Sequence, residues 1–138
     1  MANVVYPLYE KAAKESAANT DLDEAEGTTG VYVALIDTGV YTYSASHQFY
    51  SDLSGIVGTP QEILNKTVSS TGVFDGDDVS FPSVSGATVE ALVFYRKNAG
   101  ANTTWRLVFY MDTGVTNLPI TPNGNNIDLV FNASGIFK

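Results

Sequence analysis

The second half of the chain alternates short apolar runs with turn residues and leaves no helix-length segment between them. β-Branched and aromatic runs recur about every 8 to 12 residues, a spacing that predicts short strands joined by turns. Parallel strands need long crossover connections, which are usually helices. The pattern therefore excludes a parallel α/β fold and predicts a mainly β protein, an antiparallel sandwich or barrel.

The strongest runs are residues 89–95 and 105–111, which the polar segment after Tyr95 joins as a hairpin. Two shorter runs, 73–74 and 79–81, flank Asp-Gly-Asp-Asp, whose composition predicts a second hairpin or a tight turn. A helical turn is predicted within residues 45–53, because Phe49 and Leu53 are one helical turn apart. Further strands are predicted at residues 31–36, 41–43, 63–69, 127–131 and 136–137.

The N-terminal region has a different composition. Residues 7–19 are rich in Ala, Glu and Lys and begin with Pro7, which predicts one helix with a thin apolar stripe. Residues 21–30 contain four acidic side chains followed by Gly-Thr-Thr-Gly, which we interpret as a solvated arm. We predict a single domain overall, with an N-terminal helix and acidic arm over residues 1–30 and a β domain over residues 31–138.

Composition excludes several classes of function. The chain has no cysteine and one histidine, which excludes a disulfide scaffold, a thiolate metal site, a cysteine nucleophile and a two-histidine metal site. Its net charge of −8 argues against nucleic acid as a partner, because phosphate neutralisation needs an excess of Lys and Arg. No targeting signal is recognised, and residues 31–36, the longest apolar run, are too few to span a membrane.

One pattern occurs twice: an apolar strand runs into Asp-Thr-Gly-Val at residues 37–40 and again at 112–115. Asp-Thr-Gly is the active-site tripeptide of aspartic proteases, in which two carboxyl groups share a proton. Those enzymes resemble one another in having Ser or Ala after the Gly, where this chain has Val40 and Val115. We interpret both copies as strand-ending turns, in which Asp and Thr bond to the turn and Gly supplies a positive φ. We predict no catalytic residues and no enzyme activity.

Other candidate sites are weaker. Asp75, Asp77 and Asp78 have oxygen ligands that suit Ca²⁺, but the spacing of an EF-hand is missing, so we interpret them as solvated acids and leave Ca²⁺ binding open. His47 lies near serines without the Gly-x-Ser-x-Gly elbow of hydrolases. Trp105 is a candidate for sugar stacking, although its place in a strand favours the core. We predict no cofactor and no metal site.

The order of segments along the chain carries a resemblance. After the light helix come Val-Tyr-Val-Ala-Leu-Ile-Asp-Thr at 31–38, Tyr-Thr-Tyr-Ser-Ala-Ser-His-Gln-Phe at 41–49 and Gly-Val-Phe-Asp at 72–75. Glu-Ala-Leu-Val-Phe-Tyr at 90–95, Leu-Pro-Ile-Thr-Pro-Asn-Gly at 118–124 and Gly-Ile-Phe-Lys at 135–138 follow. This series resembles the small virion structural proteins of tailed bacteriophages that are described as cement or decoration proteins. It covers almost the whole chain, and its specificity lies in the series as a whole.

The resemblance implies a virion protein that binds the outer surface of the major capsid protein shell, stabilises the head and contacts neighbouring copies of itself as a homo-oligomer. A surface with few charges suits such contacts. We predict that the N-terminal helix and arm contact the partner through Leu8, Tyr9, Asp21, Asp23, Glu24 and Glu26. A phage tail or neck structural protein and a host-glycan-binding surface module remain as alternatives.

Overall fold

The computed structural model describes residues 3–15, 17–22 and 30–137. The elements in chain order are β1 (Val4–Val5), α1 (Pro7–Lys14), β2 (Gly30–Ile36), β3 (Ile56–Glu62), β4 (Thr67–Val68), β5 (Phe74–Asp75), β6 (Val79–Phe81), β7 (Ala91–Lys97), β8 (Arg106–Met111) and β9 (Ile127–Leu129). Short 3₁₀ turns lie at Tyr50–Asp52 and Asn102–Thr104. The prediction of a mainly β, antiparallel fold with one N-terminal helix is confirmed.

The centre of the molecule is a five-stranded antiparallel sheet in the order β1-β8-β7-β2-β3. Strands β2, β7 and β8 are buried along nearly their whole length, which explains why their sequences are continuous apolar runs. Phe94 and Phe109 are paired across β7 and β8, and Phe137 stacks on Phe109 with ring centroids 4.4 Å apart. Strands β4 and β5 form a second sheet, and β6 and β9 form a third.

The hairpin predicted from residues 89–95 and 105–111 is confirmed as β7 and β8. The hairpin predicted around Asp-Gly-Asp-Asp is wrong, because β5 pairs with β4 and β6 pairs with β9. The connecting turn instead binds other segments of the chain. The Asp77 N–H donates to the Leu64 carbonyl at 2.9 Å, and the Asp78 carboxylate accepts from the Phe131 N–H at 2.9 Å.

Strand β3 lies earlier in the chain than the strand predicted at residues 63–69, of which only Thr67–Val68 is a strand. Gly58 and Pro60, which weaken a strand prediction, lie inside β3. Gly58 has a φ of 69°, and the pairing of β3 with β2 is irregular between Val33 and Leu35. Glycine irregularities and proline are characteristic of edge strands, which is the position of β3 in the sheet.

Helix α1 ends at Lys14 and not at residue 19 as predicted. Asn19 has a φ of 61°, which reverses the chain after the helix. Two arginines of the sheet bind carbonyl groups of this returning segment: Arg106 Nε donates to Ala18 at 2.9 Å, and Arg96 Nε donates to Asp21 at 2.8 Å. These bonds hold Ala18 and Asp21, the first residue of the predicted arm, on the sheet.

Candidate functional site

The two Asp-Thr-Gly turns lie at the same end of the central sheet. Strands β2 and β8 are both antiparallel to β7, so their last residues emerge on either side of the residue that precedes β7, Glu90. The Glu90 N–H donates to the carbonyl of Ile36 at 3.0 Å, which fixes Glu90 beside the first turn. The topology therefore brings Asp37, Glu90 and Asp112 together at one end of the central sheet, where β2 and β8 finish and β7 begins.

Asp37 and Asp112 do not form a dyad. Two strand spacings separate β2 from β8, or about 10 Å, whereas carboxyl groups that share a proton are in direct contact. Asp37 Oδ1 accepts from the Gly39 N–H at 2.8 Å, as expected for a strand-ending turn. The predicted positive φ occurs at Gly114, at 76°, but not at Gly39.

A groove of ≈390 Å³ opens between the two turns. We call it the tyrosine–carboxylate groove, and it is lined by Thr38, Tyr41, Thr42, Tyr43, Glu90, Tyr110 and Asp112. The Thr38 hydroxyl does not bond to its own turn as predicted, but donates to Glu90 Oε2 at 2.6 Å. The groove thus combines two carboxylates with phenol and hydroxyl groups.

The phenols of the groove are held in the neutral form. Burial raises the pKa of Tyr110, and the negative charges of Asp112 and Glu90 raise it further. Burial also raises the pKa of Tyr43, and it raises the pKa of Tyr41 to about 12. At neutral pH the groove therefore places neutral tyrosine side chains beside the acidic side chains of Glu90 and Asp112.

A buried hydrogen-bond chain supports the wall of this groove. The Tyr41 hydroxyl bonds to the Tyr6 hydroxyl at 2.8 Å and to His47 Nδ1 at 2.8 Å. The Tyr6 ring also packs on Tyr43, with centroids 5.1 Å apart, and Tyr43 packs on Tyr110 at 5.5 Å. The tyrosines that line the groove are therefore fixed by contacts on the side facing the core.

A second surface, the aromatic patch, consists of Tyr32, Tyr50, Tyr95, Lys97 and Trp105. Tyr95 stacks between two partners, at 5.8 Å from Tyr32 and 6.0 Å from Trp105, and Tyr50 contacts both Tyr95 and Trp105. Lys97 Nζ lies 4.9 Å from the Tyr32 ring centroid and 5.0 Å from that of Trp105. Tyr95 is buried and the other four side chains are half-buried, so Trp105 packs on the core and still reaches the surface.

The predicted contact residues of the N-terminal region occupy different environments. Leu8 is half-buried, whereas Tyr9 is buried and its hydroxyl donates to the Thr20 carbonyl. Burial and the charge of Asp21 raise the pKa of Tyr9 to about 12. The Asp21 carboxylate pairs with Arg96 at 3.1 Å. The other three predicted contacts lie outside the described residues: Asp23, Glu24 and Glu26.

The acidic residues considered for Ca²⁺ bind different groups of the protein. Asp75 accepts from the Gly76 N–H, Asp77 accepts from the Asn65 amide and Asp78 accepts from the Phe131 N–H. Over residues 3–15, 17–22 and 30–137, no group of three metal-binding side chains lies close enough to hold an ion.

Sequence reasoning found the two Asp-Thr-Gly turns but missed Glu90, Tyr43 and Tyr110 as groove residues. The repeated Asp-Thr-Gly ending indicated two similar strand ends, but not that one strand lies between them. The pairing order that places β7 between β2 and β8 is a long-range property and has no local sequence signature.

No known family model matches the chain, and no curated protein sequence matches it. In the part of the chain that the structure describes, no helix is long and apolar enough to cross a membrane.

Proposed function

We propose that this protein is a bacteriophage capsid decoration protein, which binds the outer surface of the major capsid protein shell and stabilises the head. The class of protein in this proposal comes from the series of sequence segments that resembles phage decoration proteins. The quoted segments at 31–38 and 90–95 contain most of β2 and β7, two of the three inner strands of the central sheet, so the resemblance includes part of the framework of the fold.

The observation that carries the proposal is the aromatic patch. Tryptophan and tyrosine are enriched among the residues that dominate binding energy at protein interfaces, particularly where they are partly buried and surrounded by well-packed neighbours. Trp105, Tyr50 and Tyr32 are held by ring contacts before any partner binds. A fixed aromatic side chain loses little conformational entropy on binding, so the patch is a suitable centre for a contact with the shell.

The charge of the chain supports a position on the outside of the head. A protein of net charge −8 is repelled by packaged DNA and offers no excess of cations to neutralise phosphates. Contacts with neighbouring copies, and with the shell through Leu8 and the acidic residues of the N-terminal region, belong to the same proposal.

The test uses phage heads that lack the protein, with purified protein added back. We expect saturable binding and a rise in the temperature at which the heads release DNA. Trp105→Ala is expected to weaken binding about tenfold or more, as hot-spot truncations do. Val68→Ala, which trims an exposed side chain outside the patch, is the matched control. Absence of binding by the folded wild-type protein would contradict the proposal.

Location in the particle distinguishes the tail or neck alternative. We expect cryo-electron microscopy of the virion to show density for the protein on the head shell. Density confined to the neck or tail would replace the decoration role with a structural role there.

A host-glycan-binding module is the second candidate, because the half-buried Trp105 ring reaches the surface and Lys97 adds a donor beside it. Under the decoration proposal we expect a glycan array to show no ligand. Sugar binding that Trp105→Ala abolishes would favour the glycan module.

A further inference from the structure

We propose that the tyrosine–carboxylate groove binds a lysine side chain presented by the protein partner. This inference rests on the decoration role and names a second contact with the shell. It concerns a surface other than the aromatic patch, at the end of the sheet where β2 and β8 finish and β7 begins.

The composition of the groove selects a cation with an apolar stem. Glu90 and Asp112 bring two negative charges, and half-buried Tyr43 brings accessible aromatic surface; Tyr110, which is buried, packs behind Tyr43. Ammonium groups are bound by aromatic rings through the ring quadrupole and by carboxylates through charge, and the alkyl stem of lysine packs on apolar surface. The volume of ≈390 Å³ lies within the range of roughly 300–1,000 Å³ that is usual for ligand sites.

The hydrogen bonds of the groove favour lysine over arginine. The Thr38 hydroxyl already donates to Glu90 Oε2 at 2.6 Å. An arginine fork binds best when both oxygens of one carboxylate are available to it, whereas an ammonium is a compact charge with three donors. A lysine ammonium can therefore use the second oxygen of Glu90 and turn its other donors to neighbouring oxygens.

The walls of the groove are fixed before binding. Tyr43 is held between Tyr6 and Tyr110, and Tyr41 is held by its bonds to Tyr6 and His47. A prearranged site loses less free energy to ordering when the ligand binds. The overall charge of −8 also attracts a basic segment of a partner at long range.

The first experiment tests the groove without the shell. The ¹⁵N-labelled full-length protein is titrated with Nα-acetyl-lysine N-methylamide, and n-butanol serves as the uncharged control. We expect saturable chemical-shift changes at Thr38, Tyr43 and Glu90 with the lysine derivative and none with n-butanol. Equal responses to both compounds, or no response to either, would overturn the proposal.

The second experiment tests the partner with two matched variants. Glu90→Gln removes the charge but keeps an acceptor for Thr38, and Asp128→Asn makes the same change at an exposed carboxylate that accepts from the Ser80 hydroxyl, away from the groove and the aromatic patch. We expect Glu90→Gln to weaken binding to heads about threefold to tenfold, with the loss shrinking as salt is raised, and Asp128→Asn to have little effect. Equal affinities for the two variants would overturn the proposal and leave the decoration role standing.

The two proposals fail in different ways. A lysine-specific response in the titration combined with no binding of wild-type protein to heads would refute the decoration role and, with it, the shell as the source of the lysine. Binding to heads that is unchanged after acetylation of the shell lysines would refute the lysine contact alone.

Discussion

At the scale of single residues, the buried tyrosine pair is the most constrained polar feature of the core. Tyr6 is fully buried, and its hydroxyl bonds to Tyr41, which in turn bonds to His47 near the surface. Burial, with the bond to Tyr41, raises the pKa of Tyr6 far above its ordinary value. The folded protein keeps the Tyr6 phenol neutral at a pH where the unfolded chain ionises it. The stability of the fold is therefore constant with respect to this group below its ordinary pKa of about 10, and it falls as the pH rises above that value.

Removing the buried hydroxyl is expected to destabilise the protein. We predict that Tyr6→Phe lowers the free energy of unfolding by about 1–2 kcal/mol, because a buried hydrogen bond is lost while the ring still fills its space. Urea denaturation measures this change. Tyr43→Phe is the control, since no hydrogen bond of the Tyr43 hydroxyl is seen among the described residues. Equal effects of the two substitutions would contradict the prediction.

Asp52 caps the segment that precedes its 3₁₀ turn. Its Oδ2 accepts from the Phe49 N–H at 2.9 Å and from the Gln48 N–H at 2.8 Å. The bond from the Phe49 N–H is the largest influence and lowers the pKa of Asp52; burial opposes it, and the Gln48 bond and the charge of His47 lower the pKa further.

We predict that Asp52→Ala costs about 1 kcal/mol of unfolding free energy at neutral pH, which is typical of a lost capping side chain. The pKa of Asp52 is lower in the folded state, so its contribution is present above its unfolded pKa and is lost as the pH falls through the folded one. The difference between wild type and variant should therefore shrink between pH 7 and about pH 3. A constant difference in urea denaturation across this range would show that the carboxylate charge is not responsible.

At the scale of elements, local sequence patterns predicted the strands that are buried along nearly their whole length. They did not predict strands or pairings that depend on contacts with distant parts of the chain. The runs that became β2, β7 and β8 were recognised, because both faces of these strands are buried. Strand β1 was missed, since a pair of valines has no periodicity and forms a strand only because it pairs with β8. The turn at residues 75–78 has the composition of a hairpin, but its neighbours pair with β4 and β9.

Gly76 shows what holds this turn in place. A Cβ at this position would lie 2.3 Å from Cγ2 of the buried Ile63 and 3.2 Å from the Leu64 carbonyl oxygen. The backbone at Gly76, between β5 and β6, therefore lies so close to Ile63 that only glycine fits. The reason is this close approach and not a positive φ, which Gly76 does not have.

We predict that Gly76→Ala lowers the unfolding free energy by about 2–3 kcal/mol, because β-branched Ile63 cannot move without disturbing the core. Gly124→Ala is the comparison. Gly124 has a φ of 87° but no atom within 4 Å of the added Cβ, so strain alone should cost about 1 kcal/mol. Thermal denaturation of both variants shows which substitution lowers the unfolding free energy more. A larger loss for Gly124→Ala than for Gly76→Ala would contradict the prediction.

At the scale of the whole molecule, the chain closes its own core. Its accessible surface of 6616 Å² is close to the value of about 7,000 Å² expected for a compact monomer of this mass. Large apolar side chains that are exposed among the described residues are few and include no aromatic ring: Val40, Leu64, Val68 and Val130. Folding therefore does not require a second copy.

We predict that the free protein sediments as a monomer and unfolds in one cooperative transition, and that copies contact one another only when the shell brings them together. Sedimentation velocity over a range of concentrations tests the first part. A stable oligomer in dilute solution would contradict it and would place contacts between copies before shell binding.

The candidate sites were less predictable than the fold. The repeated Asp-Thr-Gly pattern pointed to the correct end of the sheet, but Glu90 joined it only through the strand order. Trp105 was recognised as an aromatic of interest, but Lys97 was not, because its position between two rings depends on the register of β2, β7 and β8. Sites built across strands depend on pairings that a single segment does not encode.

The pairing of β1 with β8 has a consequence for how the protein is made. Val4 pairs with Tyr110, and the Tyr6 N–H donates to the Val108 carbonyl at 2.9 Å. During translation, β1 leaves the ribosome long before its partner strand exists. Sheets assembled from such distant pairings fold slowly, over milliseconds to seconds, since a long loop must close before the contacts form. We therefore expect the native sheet to form late, once β8 is free of the ribosomal tunnel, with the apolar strands of the nascent chain exposed to chaperones until then.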